Sequence, residues 1–152
     1  MASNLFNVNV VSNLTPEICM AAVQVNGRAL EHVKEQTHDL CLAAVQNWGY
    51  ALEYVIEQTP GICLAAVKQN GLALGYVEKQ TPEICMAAVQ QNSNALYKVK
   101  DLTPDLCMIA VQQCEMVLKT PKIISSAAWR ENWNILEYVN NNFPNISSVY
   151  LF

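Results

Sequence analysis

A chain of 152 residues with 52% apolar side chains is long and apolar enough to fold as one domain around a continuous core. Its 9 Lys plus Arg against 13 Asp plus Glu leave a formal charge of -4 and no basic cluster, which argues against a nucleic-acid partner, because phosphate binding needs a positive stripe. Purely apolar runs such as Ile62 to Val67 reach only about six residues against the ~20 needed to cross a bilayer, so no membrane span is expected.

The opening residues, Met1-Ala2-Ser3-Asn4-Leu5-Phe6-Asn7, have no positive region and no long apolar run. They do not read as a secretory signal, Ala2 excludes myristoylation, and the expected address is the cytoplasm. The glycosylation-like triplets at Asn13 and Asn145 then have no route to the enzymes that would use them.

From Leu14 one phrase, Leu-Thr-Pro-Glu-Ile-Cys-Met-Ala-Ala-Val, returns five times at a spacing of 22 residues, with Thr15, Thr37, Thr59, Thr81 and Thr103 opening the copies. Self-similarity at so short a period describes a unit that cannot bury its own apolar face and must stack on its neighbours. The expected fold is all-α: an α-solenoid of 22-residue helix-turn-helix repeats stacked into a superhelix. The units are read as a half repeat over 5–14, with Val8 and Val11 at the positions of Leu30 and Val33, then repeats 15–36, 37–58, 59–80, 81–102, 103–120 and 121–142. A partial capping repeat, 143–152, follows.

Within a unit, Thr is the expected helix cap and Pro16, Pro60, Pro82 and Pro104 the first helical residue, with His38 substituting once. Glu17, Asp39, Glu83 and Asp105 put negative charge at the positive end of the helix dipole. Asn26-Gly27, Asn70-Gly71 and the variant Trp48-Gly49 predict a turn through positive φ. A second helix is expected from Ala29 to Gln36. The alanine pairs at 21–22, 43–44, 65–66 and 87–88 predict close helix approach.

The fifth copy lacks four residues, Cys114 falling where Asn92 lies one unit earlier, and the next unit opens at Pro121. Ser125, Trp129 and Trp133 make the sixth copy divergent, as a cap should be.

Five of the six cysteines, Cys19, Cys41, Cys63, Cys85 and Cys107, recur once per unit inside apolar runs. Stacked helices lie about 8–10 Å apart, too far for a disulfide's ~4.4–6.8 Å between Cα atoms, so these thiols are expected free and buried. No paired Cys-x-x-Cys occurs and His32 and His38 have no ligand at useful spacing, so no metal is expected. No cofactor motif is present.

The phrase running from Thr59-Pro-Gly-Ile-Cys-Leu-Ala-Ala-Val through Asn70-Gly71 to Ala73-Leu-Gly-Tyr-Val77 resembles the short repeat of a family known only as domain of unknown function 4116, abundant in giant DNA viruses that infect amoebae. The likeness covers residues 15 to about 139. It implies a viral protein working in the host cell cytoplasm and supplies no activity. The fifth copy's deletion and the sixth copy's missing Cys depart from the pattern.

Positions that vary between copies are the candidates for function. On the second helix these are Arg28 and His32, Tyr50 and Tyr54, Leu72 and Tyr76, and Asn94 and Lys98, each pair four residues apart and therefore expected on one helix face, with Trp48 extending the patch. Tyrosines in such a stripe suit a binding surface for a protein or peptide. Alternatively Tyr54, Tyr76 and Tyr138 pack between units as a ladder. No nucleophile, base and orienting group can be assembled, so an enzyme is not expected; Cys114, in a polar setting, is the candidate for an exposed thiol. The expected function is a non-enzymatic interaction scaffold. A lipid-surface protein is the alternative, disfavoured by a charged content of only 14%, and modular RNA reading is weaker still.

Overall fold

The computed structural model describes residues 15–118, 134, 137–142 and 144, the side chains of 114–118 excepted. The half repeat 5–14, most of the sixth copy and nearly all of 143–152 lie outside the described residues. Five α-helices follow one another: α1 (Pro16–Val25), α2 (His38–Asn47), α3 (Pro60–Gln69), α4 (Pro82–Gln91) and α5 (Pro104–Leu118). Between them run four 3-10 helices, Gly27–His32, Gly49–Tyr54, Gly71–Tyr76 and Ser93–Lys98. Each α-helix packs on the next α-helix and each 3-10 helix on the next 3-10 helix, so the described residues form an all-α repeat fold of helix pairs in a row.

The helix starts are those the sequence dictates. The hydroxyl oxygens of Thr15, Thr37, Thr59, Thr81 and Thr103 accept bonds of 3.3–3.4 Å from the amides of Ile18, Leu40, Ile62, Ile84 and Leu106. Each such cap contributes about 1 kcal/mol.

The second helix differs from expectation in type and length. It is a six-residue 3-10 helix that ends at His32, Tyr54, Tyr76 or Lys98, followed by an extended Val, and does not reach Gln36. Length explains the choice. A ten-residue α-helix spans ~15 Å, and a six-residue return leg covers ~12 Å as a 3-10 helix but only ~9 Å as an α-helix.

The turn between the two helices also departs from expectation. Asn26, Trp48, Asn70 and Asn92 are extended, with φ between -147° and -151°, and their amides close the α-helix on the carbonyls of Ala22, Ala44, Ala66 and Ala88. Glycine follows Asn26, Trp48 and Asn70, for space and not for positive φ, and Ser93 follows Asn92. A Cβ on Gly49 would sit 2.7 Å from the Ala66 carbonyl oxygen, and Gly27 and Gly71 meet Ala44 and Ala88 more closely still. The Asn oxygen then accepts from the second 3-10 amide, at 3.1 Å from Arg28, 3.0 Å from Leu72 and 2.9 Å from Asn94.

The core is a spine of repeated positions: Val23, Val45, Val67 and Val89 from the α-helices and Leu30, Leu52, Leu74 and Leu96 from the 3-10 helices have no exposed surface. Of the alanine pairs in α2, α3 and α4 the second member, Ala44, Ala66 or Ala88, is fully buried, whereas Ala43, Ala65 and Ala87 are only half-buried; in α1 Ala22 is half-buried and Ala21 exposed.

Two side-chain clamps join the units. At the ends of α2, α3 and α4 an amide side chain reaches back one unit. The side-chain oxygens of Asn47, Gln69 and Gln91 accept from the amides of Gly27, Gly49 and Gly71 at 2.8, 2.7 and 2.6 Å. Asn47 and Gln113 also donate to the carbonyls of Gln24 and Gln90. The second clamp reaches forward from the residue before Thr37, Thr59 and Thr81. The Nε2 groups of Gln36, Gln58 and Gln80 donate to the carbonyls of Tyr54, Tyr76 and Lys98 at 2.8–2.9 Å, and their Oε1 atoms accept from the amides of Ile56, Glu78 and Lys100 at 2.9–3.1 Å. These bonds satisfy the extended backbone that a longer helix would have satisfied internally.

In the fifth copy Cys114-Glu115 replaces the Asn-Gly break, and α5 runs fifteen residues to Leu118 without the turn that the alignment places at 114. The helical stretch 137–142 carries a fully buried Val139, and its Tyr138 meets Tyr97 of the fourth unit at 5.0 Å.

Candidate functional site

A 3-10 helix has three residues per turn, so residues three apart share a face and residues four apart do not. This overturns the pairing Arg28/His32, Tyr50/Tyr54, Leu72/Tyr76 and Asn94/Lys98. The core face carries Gly27, Leu30 and their equivalents. A second face carries Arg28 with Glu31, Tyr50 with Glu53, Leu72 with Gly75, and Asn94 with Tyr97. The third pairs a small residue with a large one: Ala29 with His32, Ala51 with Tyr54, Ala73 with Tyr76, and Ala95 with Lys98. Arg28 and Glu31 form an ion pair of 3.2 Å along the second face.

The stripe is built between units. Tyr50 of the second unit meets Tyr76 of the third edge-on, centroids 5.8 Å apart at 84°. The equivalent residues one unit earlier are Arg28 and Tyr54. Glu31 first, and Tyr54 after it, raise the Arg28 pKa above its ordinary value. Ala51, Ala73 and Ala95 have no exposed surface, and without bulk beyond Cβ they let successive 3-10 helices come close enough for these contacts.

Trp48 gathers the rest. It lies stacked on Tyr54 at 6.4 Å and edge-on to Tyr50 at 5.9 Å. Trp48, Tyr50 and Tyr54 are half-buried and Tyr76 is 38% exposed, so the four rings make one partly wetted patch. The tyrosines pack between units and keep an open face. Lys98 lies exposed with its aliphatic chain across Gly75. His32 is exposed, Leu72 and Asn94 are half-buried, and among the described residues no ring pair, side-chain hydrogen bond or ion pair joins these three to the aromatic patch.

The cysteine column is more than buried bulk. The thiols of Cys41, Cys63 and Cys85 donate to Oε1 of Gln36, Gln58 and Gln80 at 3.4, 3.5 and 3.6 Å. All five described cysteines are free and buried. Burial raises the pKa of Cys41, Cys63 and Cys85 and pushes Cys107, which has Leu102 where the others have Gln, up to about 11. A thiol so protonated is a poor nucleophile and serves here as a donor. The side chain of Cys114 lies outside the described residues.

The clamping glutamines are the residues that sequence reasoning passed over, although Gln36, Gln58 and Gln80 recur at the same 22-residue interval as the threonines. Among the described residues no group of three or more His, Cys, Asp or Glu could hold a metal, and no helix is long and apolar enough to cross a membrane. A depression is bordered by Lys34, His38, Cys41, Glu57 and Ile62, and the Cys41 thiol in it is buried and bonded to Gln36.

Residues 60–103, which span most of the third unit and all of the fourth, match the family model described as Domain of unknown function (DUF4116). No curated protein and no solved structure matches the chain.

Proposed function

We propose that this protein is a non-enzymatic helical-repeat scaffold that binds a protein or peptide partner across its row of 3-10 helices. The observation that carries the proposal is the gathering of Trp48, Tyr50, Tyr54 and Tyr76 into one half-open patch, at positions that change from copy to copy while the frame beneath them repeats. Rigid aromatic rings with one dry and one wet face are the side chains that most often dominate binding energy, and repeat folds vary such residues on a constant scaffold. Arg28, held by Glu31, borders the patch.

The test is selection of ligands from a random peptide display library, followed by affinity measurement on the wild type, the double variant Tyr54→Ala/Tyr76→Ala, and Arg28→Glu. Peptides lost by these variants at unchanged helicity support the reading. Peptides bound equally well by all three discard the patch, and flotation of the protein with liposomes would favour the lipid-surface alternative instead. That the protein is viral and acts in the host cytoplasm rests on the repeat's likeness alone; immunolocalisation in infected amoebae tests it.

A further inference from the structure

We infer that the Asn26-Gly27 and Asn70-Gly71 junctions are sites of spontaneous deamidation that the following unit holds closed, so that the chain is modified there only where two units part. The inference is independent of the aromatic patch and of any partner.

An Asn-Gly pair carries both reacting groups, and water is the co-reactant. The Gly71 amide nitrogen, its proton given up to hydroxide, attacks Cγ of the Asn70 side chain. A bond forms between them, the bond from Cγ to the side-chain nitrogen breaks, and that nitrogen leaves as ammonia with a proton from water, which restores the hydroxide. Water then opens the succinimide ring at either carbonyl and leaves aspartate or isoaspartate. Glycine favours the attack because it puts no Cβ beside the nucleophilic nitrogen.

The stack engages both groups. The Gly71 N–H donates to Oε1 of Gln91 at 2.6 Å and the Gly27 N–H to Oδ1 of Asn47 at 2.8 Å, so each attacking nitrogen keeps its proton on an acceptor 20 residues ahead, in the next unit. The side chains under attack are fixed as well. Oδ1 of Asn70 accepts from the Leu72 amide at 3.0 Å and Oδ1 of Asn26 from the Arg28 amide at 3.1 Å, one residue past the attacking nitrogen. Both glycines are buried. One clamp therefore guards one site: Gln91 guards Asn70, and Asn47 guards Asn26. Trp48 stands where the second unit would have its Asn, and Ser93 where the fourth would have its Gly, so the Asn-Gly pairs belong to the first and third units.

Local opening of a junction is reversible, but the product is not. Isoaspartate routes the main chain through the former side-chain methylene and so lengthens it beside Gly71. Gly71 packs so tightly on the next unit that even a Cβ on it would collide with the Ala88 carbonyl oxygen, and Gly27 meets the Ala44 carbonyl in the same way. A lengthened backbone cannot close that contact again. The chain then keeps a lasting record that the two units separated.

The experiment incubates the full chain in mildly alkaline buffer and follows Asn26 and Asn70 side by side by mass spectrometry of its peptides. Both should convert readily in urea-unfolded chain and at least about a hundredfold more slowly in the native one. Gln91→Leu should speed conversion of Asn70 about fivefold, the effect of one lost hydrogen bond, and leave Asn26 unchanged. Asn47→Leu should do the reverse. Gln91→Asn, which installs the residue that Asn47 already provides one junction earlier, should keep Asn70 protected. Native conversion as fast as in urea, an unchanged Asn70 rate in Gln91→Leu, or equal acceleration of both sites by either Leu variant overturns the inference.

Discussion

Tyr50 and Tyr76 stand 26 positions apart in the chain, yet they meet edge-on at 5.8 Å, while Tyr50 and Tyr54, four apart, lie on different faces of one 3-10 helix. One full unit plus four residues is the step that carries the outer face of one 3-10 helix onto the inner flank of the next. The same step carries Arg28 to Tyr54 one unit earlier, so this part of the surface is built between adjacent units.

That step predicts where energetic coupling lies. In a double-mutant cycle, Tyr50→Ala and Tyr76→Ala should couple by about 0.5–1.5 kcal/mol, the usual worth of an edge-to-face pair beyond its buried area. Leu72→Ala and Tyr76→Ala, within one unit, should be additive to about 0.3–0.5 kcal/mol. Urea unfolding of the six proteins checks both, and the opposite ranking would restore the in-unit stripe.

The forward clamp should cost more to remove than its half-buried polar side chain implies. Gln58 joins four partners at once, the Tyr76 and Leu52 carbonyls, the Glu78 amide and the Cys63 thiol. Gln58→Leu keeps the bulk and loses all four, and at about 1 kcal/mol per bond the loss should be about 2–4 kcal/mol. Amide exchange gives a local readout: the Glu78 N–H should lose protection while Leu40 N–H, capped by Thr37, keeps it.

Two glycines should respond oppositely to the same change. In Gly49→Ala the new methyl meets the Ala66 carbonyl at 2.7 Å, backbone that can yield only by parting the second and third units, and destabilisation of about 1–3 kcal/mol is expected. In Gly75→Ala the methyl meets only the flexible Lys98 side chain, at an ordinary contact distance of 3.6 Å, so the variant should be more stable by about 0.4–1 kcal/mol through loss of unfolded-state freedom. Thermal denaturation of the pair decides it.

How far these features can be read from the chain depends on whether one residue or a geometry between units defines them. Thr15 and Pro16 state a helix start outright, and the repeated Val and Leu positions state the core, so period, caps and spine are legible. The 3-10 geometry is not, because within six residues the buried Gly27 and Leu30 fit a three-residue turn while Ala29 and Val33 fit a four-residue one. Gly after Asn ordinarily signals positive φ, and the reason it is needed at Gly49, the Ala66 carbonyl of the next unit, is invisible without the stack. Gln58 reads as a solvated side chain for the same reason: its partners lie 18 and 20 residues ahead. The chain singles out Trp48, Tyr50, Tyr54 and Tyr76 only together with Arg28, His32, Leu72, Asn94 and Lys98, and which rings meet is set by the stack.

The thiol column gives a pH dependence of definite sign. Burial raises the Cys107 pKa from 9.0 to about 11, so folding favours the neutral thiol. A group of this kind contributes its full stabilisation below its unfolded pKa and loses it as pH rises through the folded one. Stability should therefore decline between about pH 9 and 11, and Cys107→Ala should flatten that decline while costing cavity energy at neutral pH. Cys85 shifts the same way, by burial first and then through the nearby Asp101 carboxylate, and it also donates to Gln80. Its ionisation removes that donor and sets a thiolate against the Gln80 oxygen, so Cys85→Ala should flatten the decline as well, whereas Gln80→Leu should leave the Cys85 thiol a simple buried group like Cys107. Denaturant midpoints across the alkaline range, with thiolate absorbance followed in parallel, measure both effects; a midpoint unchanged up to pH 11 in the wild type would mean that the column ionises without cost and is open to water.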